Sequence, residues 1–308
     1  MRLQSVPRKF AMRCASPYLI LGQNIVMLSD NMTFLHAAES DVKCHGRLKR
    51  YPDGSWELMA ASRPIFGGDG WEQSDKSDSI TSKPQTEKKQ SADIDRARRR
   101  AAAAVRDIAR CTPFRWFVTL TFSPERANRY DPAGLIKAMR TWLDNRVRRE
   151  GLAYILVPEL HKDGAVHFHG FFNDCDIGFV ESGTYKLDGA KKPRRPRSEA
   201  QRQQWLAACA KPVYNISDWR FGFSTAIEIY GDYNAAIGYC CKYIGKQTDK
   251  IGGRWYYSGG DLVRPSVDFV DVDYWQLRQM DGAYAFDLPA AALGIVIVRG
   301  DGNVTTDG

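Results

Sequence analysis

Two histidines separated by one residue, His167 and His169, are the clearest candidates for chemistry in this sequence. They lie in the segment VHFHGFF, whose β-branched and aromatic residues predict a strand, and the preceding KDG predicts a turn. Because successive side chains of a strand point to opposite faces, both imidazoles project from one face, with Cα atoms about 6–7 Å apart. The pair therefore indicates either a metal site or two ordinary, partly exposed strand histidines.

A carboxylate on the facing strand can complete a ligand set with these imidazoles. The segment AYILVPEL, residues 153–160, predicts the first arm of a hairpin, and Glu159 is its nearest carboxylate to the histidines. Two nitrogen ligands and one oxygen ligand suit Mg²⁺ or Mn²⁺ better than a structural zinc ion. Two histidines alone do not specify a site, so this ligand set is a hypothesis.

A second group of reactive side chains lies in DYNAAIGYCCKYIGKQ, which predicts a helix over about residues 232–247. At about 100° per residue, Tyr239, Lys242, Tyr243 and Lys246 form one stripe. The opposite face is predicted to be buried and contains Ile237, Cys240, Cys241 and Ile244. A phenol with a pKa of about 10 is a poor nucleophile, and a nearby ammonium group and a cation favour the phenolate. The stripe predicts transesterification of a phosphodiester.

The charge of the chain points to a polyanionic partner. A formal net charge of +8 makes nucleic acid the leading candidate. The basic loop KLDGAKKPRRPRSE, residues 186–199, is either a phosphate-binding loop or a solvated excursion. The candidate DNA-binding residues are Lys191, Lys192, Arg194, Arg195, Arg197 and Lys246.

Cysteine usage and hydropathy indicate the compartment. Seven scattered cysteines without a CxxC pair argue against a disulfide framework and against a zinc ribbon. The basic start MRLQSVPRKFAMRC is followed by no sustained apolar region, and the sequence has no run of about 18 apolar residues. We therefore expect a cytoplasmic protein with no membrane partner.

The composition predicts four segments along the chain. Residues 1–66 contain short, turn-broken apolar runs such as SWELMAAS, which suggest a small β-rich segment, and residues 67–91 are polar enough for a flexible linker. Residues 92–262 form the main domain, which begins with a basic, alanine-rich helix, and residues 263–308 form a C-terminal extension.

Within the main domain, strands and helices alternate with hairpins, which predicts an α+β fold with an antiparallel or mixed sheet. The expected elements are a strand at FRWFVTLTF, a helix over DPAGLIKAMRTWLDNRVRRE, a short helix at EAQRQQWLAACA and a strand at GFSTAIEIY. Thr119 and Thr121 of the first strand are assigned mainly to the scaffold, because such alternation is more often core than chemistry.

Three segments resemble, in this order, the motifs of the HUH endonucleases: FVTLTF (117–122), ELHKDGAVHFHGFF (159–172) and YCCKYIGK (239–246). The two-tyrosine pattern looks most like the rolling-circle replication initiators of small single-stranded-DNA phages and certain plasmids. The resemblance covers about residues 113–250. It implies an antiparallel, ferredoxin-like (RRM-like) sheet with flanking helices, in which the histidines lie on a central strand beside the tyrosine helix.

The resemblance also implies roles for individual residues. His167, His169 and Glu159 correspond to metal ligands, Tyr239 and Tyr243 to nucleophiles, and Lys242 to the lysine of the tyrosine motif. His161 has no equivalent and is expected to be a turn residue. The implied cofactor is Mg²⁺ or Mn²⁺, and the implied partners are single-stranded or origin DNA and a host helicase and DNA polymerase, in a bacterial host cell.

The function that follows is rolling-circle initiation. One tyrosine attacks the scissile phosphate, frees a 3′-hydroxyl and stays on the 5′ end, and the two tyrosines are expected to alternate, with Tyr239 first. The alternatives are an HUH-type transposase or relaxase, a non-catalytic origin-binding protein of the same fold, and a hydrolase that uses water. A relaxase tyrosine usually precedes the histidine motif, and a hydrolase leaves the tyrosines unexplained. The chain lacks GxxxxGK[ST], so unwinding is expected from a host helicase.

Overall fold

The computed structural model describes residues 36–37, 43–67, 87–126, 128, 131–160, 165–229 and 233–301. The strands are β1 (His36–Ala37), β2 (Lys43–Cys44), β3 (Gly46–Arg50), β4 (Trp56–Ala61), β5 (Phe66–Gly67), β6 (Phe114–Phe122), β7 (Tyr154–Leu160), β8 (Val166–Asn173), β9 (Phe179–Lys186), β10 (Lys211–Ile216), β11 (Gly222–Glu228), β12 (Tyr257–Gly259), β13 (Ser266–Asp271), β14 (Tyr284–Leu288) and β15 (Leu293–Gly300). The helices are α1 (Glu87–Cys111), α2 (Pro132–Glu150), α3 (Glu199–Ala207), α4 (Tyr233–Lys246) and α5 (Tyr274–Arg278), with a 3₁₀ turn at Pro289–Ala291.

The main sheet has seven strands in the order β12-β7-β8-β6-β11-β10-β9. Each pair of neighbouring strands in this sheet is antiparallel. The α+β class with an antiparallel sheet is therefore confirmed, and β8, which carries the two histidines, is flanked by strands on both sides. No helix in the described ranges combines the length and the apolar character needed to cross a bilayer.

The chain divides into two compact units. Described residues 49–55 and 87–266 form the unit with the seven-stranded sheet. The other unit combines 36–37, 43–48, 56–67 and 267–301 around a six-stranded sheet, in which β1 pairs with β13 and β4 pairs with β15. The N-terminal segment and the C-terminal extension, which the sequence presents as separate additions, thus share one sheet. Composition gives no sign of this, because strand pairing joins residues more than 200 positions apart.

The polar stretch before the main domain is partly helical. Helix α1 begins at Glu87, so the prediction of a flexible linker is wrong for residues 87–91. This stretch reads EKKQS, and its glutamate, lysines and glutamine are good helix formers. Residues 68–86 lie outside the described residues.

Helices cover both faces of the main sheet. Helix α2 packs on one face through an apolar cluster that includes Leu135, Met139, Leu143, Val118, Leu120 and Phe168. Helices α1 and α4 pack on the other face through Val105, Ile108, Ile237, Cys240, Ile244, Ile155 and Phe171. Because strand side chains alternate, this second face is also the one that His167 and His169 share with Phe171.

The predicted basic helix, α1, supports α4. Its arginine-rich sequence has a buried apolar side, and Arg98 donates hydrogen bonds to the carbonyl oxygens of Gly245 (3.1 Å) and Gln247 (2.7 Å). These carbonyls lie at the C-terminal end of α4, where backbone acceptors lack helical partners and the helix dipole favours a cation. One arginine of the basic helix therefore anchors the end of the tyrosine helix.

Gly170 follows the histidine pair at a point where only hydrogen fits. A Cβ at this position would overlap the backbone carbonyl oxygen of Ile155 on β7. The glycine thereby allows β7 and β8 to approach in the register that places Glu159 opposite His167. A larger residue would have to push the two strands apart.

We expect Gly170→Ala to lower the free energy of unfolding by about 1–3 kcal/mol or more, the usual cost of forcing an extra methyl group into packed structure. Gly238→Ala in α4 is the matched control, since a Cβ there meets nothing within 4 Å and alanine is the better helix former. Urea unfolding of both variants measures the difference. Equal stability of the two would contradict the steric role of Gly170.

Candidate active site

Two rows of side chains cross three strands on the face covered by α4. In the first row Glu159 of β7 lies opposite His167 of β8, which lies opposite Thr121 of β6. In the second row His169 lies opposite Thr119. The predicted hairpin is confirmed, with its arms at β7 and β8. Its turn, including His161, lies outside the described residues.

Both histidine rings are held by threonine hydroxyls. Thr119 Oγ1 lies 3.1 Å from His169 Nδ1, and Thr121 Oγ1 lies 3.0 Å from His167 Nδ1. A hydroxyl can donate to or accept from a ring nitrogen, so each threonine orients its imidazole in either tautomer. A purely scaffold role for Thr119 and Thr121 is therefore wrong. The signal was the shared two-residue period of TLT and HFH, which become functional partners only when β6 and β8 are adjacent.

Glu159 joins one histidine to one lysine. Its Oε2 lies 3.1 Å from His169 Nε2, and its Oε1 lies 3.3 Å from Lys246 Nζ. Burial lowers the pKa of His169 below its usual value, although the Glu159 carboxylate opposes this shift. Nε2 then carries the hydrogen that the carboxylate accepts, and Nδ1 accepts from the Thr119 hydroxyl. Among described residues, no three or more His, Cys, Asp and Glu side chains converge as a metal-binding group.

The two tyrosines occupy different environments. Tyr239 is 52% exposed, whereas Tyr243 is 6% exposed and stacks on His169, with ring centroids 4.2 Å apart and an interplanar angle of 11°. The Tyr243 hydroxyl donates to the Tyr239 hydroxyl at 2.5 Å. Burial, together with this hydrogen bond, raises the pKa of Tyr243 above its usual value. The prediction that Tyr243 belongs to the polar stripe is wrong, because α4 turns this residue against the sheet and against His169.

The lysine next to the tyrosines is Lys246. Its Nζ lies 4.8 Å from the centroid of the Tyr243 ring, in addition to its contact with Glu159. Lys242 is exposed, and within the described part of the chain no contact connects it to Glu159 or to the histidines. The structure thus places Lys246, predicted to bind DNA, where the sequence predicts the ammonium of Lys242.

The basic loop lies at the far edge of the sheet. The backbone of Arg194 pairs with Tyr185 of β9, and the Arg195 guanidinium donates to the carbonyl oxygen of Ser182 at 2.8 Å. The remaining predicted DNA-binding side chains of the loop, Lys191, Lys192 and Arg197, are exposed. Strand β9 is four strand positions from β8, or about 19 Å at the usual strand spacing. The structure therefore separates this loop from the tyrosines.

Strand β6 begins and helix α4 ends the segment that carries every side chain of this site. Residues 115–248 match the model of a family described as replication-associated proteins of the ORF2 type. The matched segment is less than half of the 308-residue chain and contains Glu159, both histidines and both tyrosines. The match to this replication-associated family supports a replication initiator protein. No curated protein and no solved structure gives a significant match to the chain.

We expect the ring of Tyr243 to stabilise the fold and its hydroxyl to contribute little. Tyr243→Ala should lower the free energy of unfolding by about 3 kcal/mol, because it removes a buried ring, whereas Tyr243→Phe removes one hydrogen bond worth about 1 kcal/mol. Tyr239→Phe removes the acceptor of the same bond and is the control. Chemical denaturation checks the order, and a small effect of Tyr243→Ala would contradict the packed position.

Proposed function

We propose that this chain is a rolling-circle replication initiator that nicks single-stranded DNA and remains linked to the new 5′ end through a phosphotyrosine. The observation that carries the proposal is the contact between two tyrosine hydroxyls beside His169, on the face that also holds Glu159 and His167. This cluster lies inside the region that matches a family of replication-associated proteins. Tyrosine nucleophiles next to an N, N, O ligand set suit phosphoryl transfer.

Tyr239 is the better first nucleophile. Its side chain is half exposed, so a DNA phosphate can reach its hydroxyl oxygen. The hydrogen bond donated by Tyr243 stabilises negative charge on that oxygen, and the raised pKa of Tyr243 keeps the donor protonated. In the reaction, the Tyr239 oxygen loses its proton and bonds to phosphorus. The bond from phosphorus to the 3′ oxygen breaks, and that oxygen takes up a proton, so one phosphodiester replaces another without ATP.

Tyr243 is proposed to act in the second cut. Its hydroxyl lies beside that of Tyr239, so it can reach the same phosphate position after Tyr239 has been esterified and displaced. Its burial makes it dependent on that displacement. The two tyrosines then alternate in a fixed order, in which the exposed residue attacks first and the buried residue follows.

The chemistry of the side chains fits a divalent cation. Glu159, His167 and His169 lie in adjacent register positions and offer one carboxylate and two imidazoles, a set that suits Mn²⁺ or Mg²⁺. Because Thr119 and Thr121 bind the Nδ1 atoms, each histidine can present Nε2 to a ligand. A cation held there would polarise the scissile phosphate. Lys246, paired with Glu159, supplies a fixed positive charge beside the tyrosines.

The covalent intermediate can be tested without knowing the origin. The protein would be incubated with a randomised single-stranded oligonucleotide library and Mn²⁺, separated by denaturing electrophoresis, and the attached DNA sequenced. We expect an adduct for the wild type, none for Tyr239→Phe in the first turnover, and an adduct without strand release for Tyr243→Phe. The double variant is the control and should form no adduct.

Peptide mapping of the adduct identifies the attacking residue. DNA on Tyr239 at early times and on both tyrosines later supports the fixed order. DNA found exclusively on Tyr243 would refute it. If the wild type binds DNA but yields no adduct with any sequence, the chain is a non-catalytic DNA-binding protein.

The threonines should affect cation affinity independently of cleavage. Thr119→Val or Thr121→Val keeps the shape of the side chain but removes the hydroxyl that orients an imidazole, so we expect Mn²⁺ affinity to fall about 10–100-fold. Thr121→Ser should retain affinity. Thr225→Val, on the neighbouring strand opposite Thr119, is the matched control. Isothermal titration calorimetry with Mn²⁺ decides, and wild-type affinity in both valine variants would rule the role out.

A further inference from the structure

Phe223 is an aromatic side chain that the fold leaves uncovered. It is 71% exposed, more than any other large hydrophobic side chain in the described residues. Its neighbours Trp219 and Phe221 pack against each other with ring centroids 5.0 Å apart, whereas the ring of Phe223 contacts no other ring of the described chain. In β11, Ser224 and Ala226 are buried on the α2 face, so the alternation turns Phe223 to the opposite face.

That face is the one that holds the candidate active site. Phe223 lies opposite Thr121, which lies opposite His167, which lies opposite Glu159. The four residues therefore form a single row across four adjacent strands. Phe223 is two strand positions from His167, or about 10 Å at the usual strand spacing.

The row continues toward positive charge. Beyond β11 come β10 and then β9, whose edge is covered by the basic loop with Arg194 and Arg195. Phe223 thus lies between the tyrosines and the most basic loop of the chain. Isolated exposed apolar residues are common and usually neutral, but this one lies on the path between a nucleophile for phosphodiesters and a group of cations.

We propose that Phe223 is a stacking platform for one unpaired base of single-stranded DNA, close to the nucleotide that is cut. The inference rests on the proposed function, since it assigns the substrate contact of that same face. Every base has a π face, so stacking on a strand-borne ring holds DNA without reading its sequence, while lysines and arginines bind the phosphates. A duplex cannot use this contact, because its bases already stack on each other. Phe223 therefore selects single-stranded substrate and positions the adjacent phosphate.

Equilibrium binding tests the platform separately from the chemistry. Fluorescence anisotropy with a labelled single-stranded oligonucleotide of mixed sequence would be measured in EDTA, so that no cleavage occurs. We expect Phe223→Ala to weaken binding about 10-fold, within the range for loss of one base–aromatic stack. Phe223→Trp should retain affinity, and Phe223→Leu, which is apolar without a π face, should behave like alanine. Tyr284→Ala, an exposed aromatic on a strand of the other sheet, is the control and should bind normally.

A stacking signal identifies the contact directly. With 2-aminopurine placed at successive positions of the oligonucleotide, one position should show a fluorescence change on binding that is lost in Phe223→Ala and kept in Phe223→Trp. Unchanged affinity of Phe223→Ala, or wild-type behaviour of Phe223→Leu, would overturn the proposal. An unchanged affinity together with a covalent adduct leaves the nicking function standing, whereas normal stacking without any adduct removes the nicking function alone.

Discussion

The register between β6 and β8 is the constraint on which the site depends. Both strands carry polar residues at every second position, so one register aligns Thr119 with His169 and Thr121 with His167 on the same face. A slip by one residue would turn the imidazoles toward the α2 core and separate them from the threonines. Gly170 helps to hold this arrangement, because β7 approaches β8 too closely for a side chain.

The packing of α4 makes the two tyrosines unequal. The helix places Ile237, Cys240 and Ile244 in the core, and the same orientation brings the ring of Tyr243 onto His169. Tyr239 lies one turn earlier, at the edge of the helix, where solvent reaches it. One hydroxyl therefore donates to the other, and burial determines which tyrosine keeps its proton. Two residues with identical side chains thereby acquire different chemistry from their depth alone.

Charge around the site is arranged in a short chain. Lys246 contacts Glu159, and Glu159 contacts His169, which burial keeps neutral. Partly buried charges persist when they are paired, and this pairing also keeps the carboxylate pointed at the imidazole. The basic loop belongs to the opposite edge of the sheet, so the positive charge that attracts DNA and the positive charge beside the nucleophile come from different parts of the fold.

Local pattern was sufficient for much of this protein. The hairpin, the helix over residues 232–247, the antiparallel α+β class and the residue types for phosphoryl transfer all follow from periodicity and spacing within short segments. Tertiary structure alone decided the partnership of the threonines with the histidines, the burial of Tyr243, the use of Lys246 in place of Lys242, and the shared sheet of the two chain ends. Each of these depends on which distant segments pack together, and a single sequence gives no local signal for such contacts.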